Sequence, residues 1–141
     1  MSFDTDYLLK ALDNENNTGI EKMNNKLIKK IKNDYLQKLN LSKEKLKEYH
    51  TKLKNYRYVD ELSEFQYGRY IRWINLTNPE KIHLSNGGVV LDIMILKNGI
   101  QLLCKNFRNQ KFQIKADENL IFQKITDQEN IILSALDFLE K

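Results

Sequence analysis

Gly68-Arg69-Tyr70-Ile71-Arg72-Trp73-Ile74-Asn75-Leu76 is the stretch that decides the fold. It holds the single Trp of the chain and two of its four Arg residues. β-branched and aromatic residues fill it and a glycine opens it, the pattern of a strand leaving a turn. On a pleated strand Tyr70, Arg72 and Ile74 share one face, and Ile71, Trp73 and Asn75 share the other. Large side chains on both faces call for cover on both faces, so the strand is expected inside a small, strongly curved sheet.

Downstream, tight turns alternate with short apolar runs. Asn78-Pro79 ends the first strand, and Lys81 to Leu84 reads as a short strand. Ser85-Asn86-Gly87-Gly88 is a strong turn signal before a strand over Val89 to Ile95. Lys97-Asn98-Gly99 reads as a hairpin turn of type I′, because Asn-Gly supplies positive φ readily. Gln101 to Lys105 follows, then a polar turn at Arg108-Asn109-Gln110. Lys111 to Lys115 alternates, with Phe112 and Ile114 on one face. Asp117-Glu118-Asn119 turns the chain into Leu120 to Ile125. Five or six such strands predict a small, strongly bent antiparallel sheet or an SH3-like barrel. Thr126-Asp127-Gln128-Glu129 then forms a capping box for a final amphipathic helix.

Upstream the period is helical. Phe3, Tyr7, Leu8, Ala11 and Leu12 predict a helix over 3–13. Thr18-x-x-Glu21 reads as a capping box opening a long helix over 18–40, striped by Ile20, Met23, Leu27, Ile28, Ile31, Tyr35, Leu36 and Leu39. Asn40-Leu41-Ser42 is a short turn with Ser42 as the next N-cap, and Leu46, Tyr49, Leu53 and Tyr56 line a helix over 43–56. So short a turn folds two helices back as a hairpin. The expected fold is therefore α+β. Residues 1–57 are helices with a basic hairpin, and residues 58–141 are a compact antiparallel β unit with a C-terminal helix.

The 141 residues suit one domain. With 41% hydrophobic and 30% charged residues, the balance is that of an ordinary globular protein. No apolar run approaches a membrane span. The acidic opening Met-Ser-Phe-Asp-Thr-Asp has no apolar core, so no signal peptide is expected. A lone Cys104 excludes an internal disulfide and a Cys-based zinc site, and an intracellular setting is expected. Abundant Lys, Asn and Ile beside only four Arg and one Pro point to an A/T-rich genome.

Charge is uneven. Residues 1–21 hold one Lys and five acids, net −4. Residues 22–57 hold twelve basic and three acidic residues, net +9, and residues 58–141 hold ten and eleven, net −1. The basic character lies on the hairpin. Lys22, Lys26, Lys29, Lys30 and Lys32 form one cluster; Lys43, Lys45, Lys47, Lys52 and Lys54 form another. They read first as a solvated helix face in a Lys-rich chain. The functional reading is a positive surface for phosphates, centred on Lys26, Lys29, Lys30 and Lys32.

Catalytic constellations do not stand out. His50 and His83 have no joint ligand spacing and read as ordinary surface or half-buried histidines. Cys104, in an apolar strand, reads as a small buried hydrophobe. Glu61 and Glu64 read as solvated acids. Asp92 either faces water or pairs with Arg69 or Arg72. Asn86-Gly87-Gly88 lacks the spacing of a phosphate loop. No metal or cofactor is implied. Arg69, Tyr70, Arg72 and Trp73 are candidates for a partner-binding surface, because Arg and Trp are enriched in interaction hot spots. The structural alternative makes Trp73 the core anchor with the arginines flanking it.

Tyr67-Gly68-Arg69-Tyr70-Ile71-Arg72-Trp73-Ile74, Leu84-Ser85-Asn86-Gly87-Gly88 and Leu120-Ile121-Phe122-Gln123-Lys124 give residues 58–141 a resemblance to small uncharacterised proteins of large nucleocytoplasmic DNA viruses. The resemblance does not cover the basic hairpin. It implies a viral source, acting in host cytoplasm or virion, and carries over no activity. The expectation is a small non-enzymatic binding or assembly module for a protein partner, without a membrane. The alternative is a sequence-independent nucleic-acid-binding protein that uses the hairpin.

Overall fold

The computed structural model describes residues 5–140. Four α-helices precede or follow six strands: α1 (Thr5–Asp13), α2 (Asn25–Gln37) and α3 (Lys43–Lys52), then β1 (Tyr56–Val59), β2 (Tyr70–Asn75), β3 (Gly88–Leu96), β4 (Gly99–Lys105), β5 (Lys111–Lys115) and β6 (Asn119–Lys124), and finally α4 (Asp127–Leu139). The α+β class is as expected. The strands form one antiparallel sheet in the order β1-β6-β2-β3-β4-β5. It does not close: β1 and β5 are its edges, so the bent open sheet is formed rather than a closed barrel. Among the described residues no helix is long and apolar enough to cross a membrane.

The deciding strand behaves as its alternation requires. Ile74 packs with Leu36, Tyr49, Leu53 and Phe122, with Tyr70 beside them, so this face carries α2 and α3. Ile71 and Trp73 face a second core with Val59, Val90, Leu102 and Ile114. Those residues come from strands at both ends of the sheet, so the sheet curls around its own side chains, and Phe65 from the β1–β2 connection fills the interior. The curl has a local cause. β2 pairs with β3 only at Tyr70–Val89 and Ile71–Gly88, and β3 carries a register shift between Val90 and Asp92 that bends and twists it. The crossing is tight: a Cβ on Gly87, whose φ is +92°, would collide with the Ile71 carbonyl oxygen. A Cβ on Gly88 would stand 2.8 Å from the Lys105 carbonyl oxygen.

Several expectations are corrected. The helix over 18–40 is two elements, a 3-10 segment Glu15–Lys22 and α2. Asn24 breaks it, because its side chain caps the Leu27 N–H at 2.7 Å, and Thr18 bonds back to the Glu15 carbonyl instead of capping Glu21. The helix over 43–56 ends at Lys52, and Tyr56 enters β1 opposite Lys124. Residues 57 and 58 both lie in β1, and α2 and α3 share a core with the sheet. The strand over Lys81–Leu84 shrinks to a single bridge between Leu84 and Ile74. The turn at Lys97-Asn98-Gly99 is not type I′, since only Gly99 there has positive φ. Phe3, the first residue of the expected 3–13 helix, lies outside the described residues.

Other signals hold. Ser42 caps Lys45, and the Thr126–Glu129 capping box forms in both directions. α2 and α3 fold back on each other: Lys32 reaches Leu53, Asn33 meets His50, and Leu36 packs with Tyr49, an antiparallel order. A third core joins α1, the 3-10 segment and α4 through Ala11, Ile20, Ile132 and Leu133.

Candidate binding face

Three of the four residues expected to meet a partner are used inside the fold. Arg69 Nη1 donates to Glu129 Oε1 at 2.7 Å, and Glu129 also accepts from the Thr126 N–H, so this pair ties the entry of β2 to the start of α4. Glu129 is 1% exposed, and a buried ion pair of this kind is costly to break. Tyr70 Oη donates to the Asn86 carbonyl at 2.6 Å. Arg72 Nε donates to the Ser85 carbonyl at 2.8 Å. Both hold the 85–87 loop against β2.

Trp73 is different. Its ring is half-buried and lies 6.2 Å from the Phe112 ring, tilted by 58°. Cross-strand register puts Phe112 opposite Cys104, on the inner face of the sheet, so the Trp73–Phe112 contact spans the mouth of the curl. Phe112 remains 42% exposed. A cavity of about 410 Å³ lies on one side of this pair, walled by His83, Asn86, Phe107 and Arg108. A second of about 220 Å³ lies on the other side, walled by Asn75, Lys115 and Asn119. Asn119 Oδ1, at that second cavity, is buried without a partner.

Phe107 stands at the rim, 76% exposed, with the Arg108 guanidinium 5.4 Å from its ring centroid. Their turn is held by Asn106, whose Oδ1 accepts from the Arg108 and Gln110 N–H groups, with Asn109 at φ 62°. In the sequence Phe112 reads only as a strand residue on one face with Ile114, and Phe107 carries no assignment. One signal was available: an aromatic in the middle of a polar turn has no core to enter.

The basic hairpin is divided. Lys26, Lys29 and Lys30 are exposed on α2, Lys30 pairing with Asp34 at 3.1 Å. Lys32 is not available to phosphates. It is 4% exposed and donates to the carbonyls of Leu53 at 2.8 Å and Tyr56 at 3.0 Å, satisfying the backbone where α3 gives way to β1. Burial, with a smaller push from Lys29, lowers its pKa from 10.5 to about 8.

A polar cleft of about 440 Å³ lies between the 3-10 segment and the β1–β2 connection. Its floor includes Arg57, buried on β1, whose Nη1 donates to Glu64 Oε2 at 2.7 Å. Glu64, expected as a solvated acid, instead holds Arg57 and accepts from the Asp60 and Glu61 N–H groups. Glu61 is exposed, and so is Asp92, which bonds only its neighbour's N–H. His50 lies 3.1 Å from Asn33 Oδ1, and burial lowers its pKa. Burial pushes the Cys104 thiol up to about 12, so it is an inert hydrophobe. Among the described residues no His, Cys, Asp and Glu side chains gather as a metal-binding group.

Compared with protein-family models, curated proteins and solved structures, the chain matches none.

Proposed function

We propose that the protein is a non-enzymatic binding or assembly module that takes up a segment of another protein at the aromatic mouth of its sheet, around Trp73, Phe107 and Phe112. The observation that carries this is the exposure of Phe107 and Phe112 beside two cavities that flank the Trp73–Phe112 contact. Aromatic surface left in water next to a concavity loses its hydration when a partner covers it, and such residues dominate interface energetics. In this reading Arg69, Tyr70 and Arg72 support the site rather than touch the partner, and Trp73 is its inner wall. A membrane surface is no part of the proposal. The resemblance of residues 58–141 extends it to a viral setting, in host cytoplasm or virion.

The test is selection of displayed peptides on the immobilised full-length protein, with Phe107→Ala as the counter-target. Phe107 is a surface residue of a turn, so its removal leaves the cores intact. Wild type should enrich peptides that change the fluorescence of Trp73, the only Trp, and Phe107→Ala should bind them at least about tenfold more weakly. Equal enrichment by both proteins would remove the aromatic mouth as the binding face.

The exposed Lys26, Lys29 and Lys30 favour a second reading, electrostatic nucleic-acid binding by α2. It requires binding at low salt that falls steeply with added salt and varies little with base sequence. Replacing these three lysines by Gln should flatten that dependence while leaving stability nearly unchanged. Absence of low-salt binding in wild type ends this reading.

A further inference from the structure

We infer that the partner segment is acidic and carries an apolar anchor side chain, the acids meeting a cationic rim and the anchor entering beside Phe107 and Phe112. This rests on the reading of the aromatic mouth as the binding face. Residues 105–115 contain Lys105, Arg108, Lys111 and Lys115 and no acid. Among the described residues only Lys115 of these four has an ion-pair partner within 4.0 Å, Glu118 at 3.9 Å; Lys105, Arg108 and Lys111 have none. Lys105 and Lys111 stand directly opposite each other on β4 and β5, and Arg108 occupies the turn between them. Like charges at directly opposed positions oppose pairing, so the hairpin end carries an uncompensated local repulsion. Carboxylates from a partner would relieve it.

The two kinds of group are sorted by face. Phe112 and Ile114 lie on the inner face, and strand alternation turns Lys111 and Lys115 outward, so cations border the mouth while aromatics line it. Arg108 is held over the Phe107 ring and also walls the larger cavity. Such an arrangement assigns affinity to the apolar anchor, and steering and salt dependence to the charged rim. A polypeptide is favoured over base-specific reading of a nucleic acid because Asn106, an amide at the larger cavity, is already engaged at both ends. Asn106 Oδ1 holds the turn, and Asn106 Nδ2 donates to Gln110 Oε1 at 3.0 Å, so Asn106 is not free to read a base edge.

The test uses peptides enriched on the full-length protein, titrated by Trp73 fluorescence, with a ten-nucleotide oligouridylate as a second probe. Enriched peptides should be acidic relative to the input library. Replacing their acids by amides should weaken binding about tenfold or more at low salt, with the difference shrinking at high salt. Arg108→Gln with Lys111→Gln, both exposed, should abolish that difference while retaining preference for the anchor. If enriched peptides bind through the Phe107-dependent face but are neutral or basic, the acidic partner is wrong and the binding face stands. If no peptide is enriched over Phe107→Ala, both fall. If oligouridylate binds this face more tightly than the best peptide, the partner is a nucleic acid and the inference is overturned.

Discussion

Replacing Lys32 by Met and following stability against pH tests whether an ammonium is held in the core. In the folded protein Lys32 has a pKa of about 8, and in the unfolded chain its ordinary value of 10.5. Below pH ~8 both states hold the proton, and this group contributes no slope. Between the two values the unfolded chain still holds it while the folded protein has released it, so stability rises with pH. The rise attributable to Lys32 is about 1.4 kcal/mol by pH 9 and about 2.5 kcal/mol by pH 10. Cys104 and Tyr58 act in the opposite sense, because burial raises both pKa values and the unfolded chain loses those protons first. Subtracting Lys32→Met from wild type at each pH cancels their contributions. Urea unfolding from pH 7 to pH 10 supplies both curves. The offset at pH 7 sets two freed carbonyls against relieved burial of a charge, so the slope carries the test and the offset does not. A difference that stays flat as pH rises would refute the buried ammonium and return Lys32 to the exposed face of α2.

Breaking the Arg69–Glu129 pair by Arg69→Met should destabilise by about 3–5 kcal/mol, since it strands a buried carboxylate, and the double variant Arg69→Met/Glu129→Leu should recover part of that loss in chemical denaturation. Gly87→Ala should cost at least about 2 kcal/mol in the same assay, because the residue is in a positive-φ conformation and its Cβ would collide with β2; a neutral effect would mean that the loop is not pressed against the strand as described. Cys104 should resist a thiol reagent in the native state and react at a rate that follows unfolding, whereas rapid native labelling would contradict its burial.

Much of the local structure was legible from neighbouring residues. Ser42 and the Thr126–Glu129 pair announce helix starts because a cap is made within three residues. Asn78-Pro79 announces a turn, closed by the Lys81 N–H on the Asn78 carbonyl, and the alternation of Tyr70 to Asn75 announces a strand covered on both faces. Ser85 to Gly88, expected to turn, instead runs on beside β2 from the Leu84–Ile74 bridge to the Gly88–Ile71 pair. The break before α2 was harder to read: the apolar stripe runs through Met23 at helical spacing, yet Asn24 Oδ1 accepts from the Leu27 N–H and starts a new helix there.

Sequence alone thus determined the α+β class, most turns and caps, and the two faces of the deciding strand, because these follow from interactions a few residues apart. Tertiary structure alone decided which charges are used inside. Lys32 belongs to a run of exposed lysines until the end of α3, about twenty residues later, brings two carbonyls to it. Arg69 is a surface arginine until α4 brings Glu129 to it across sixty residues of chain. Tyr56 reads as the last apolar position of a helix until β6 offers it a ladder. Phe112 meets Trp73 only when the curl of the sheet carries it there. The physical reason is the same in each case: a hydrogen bond or ring contact depends on where its partner sits in space, and distant chain segments are brought together only by packing.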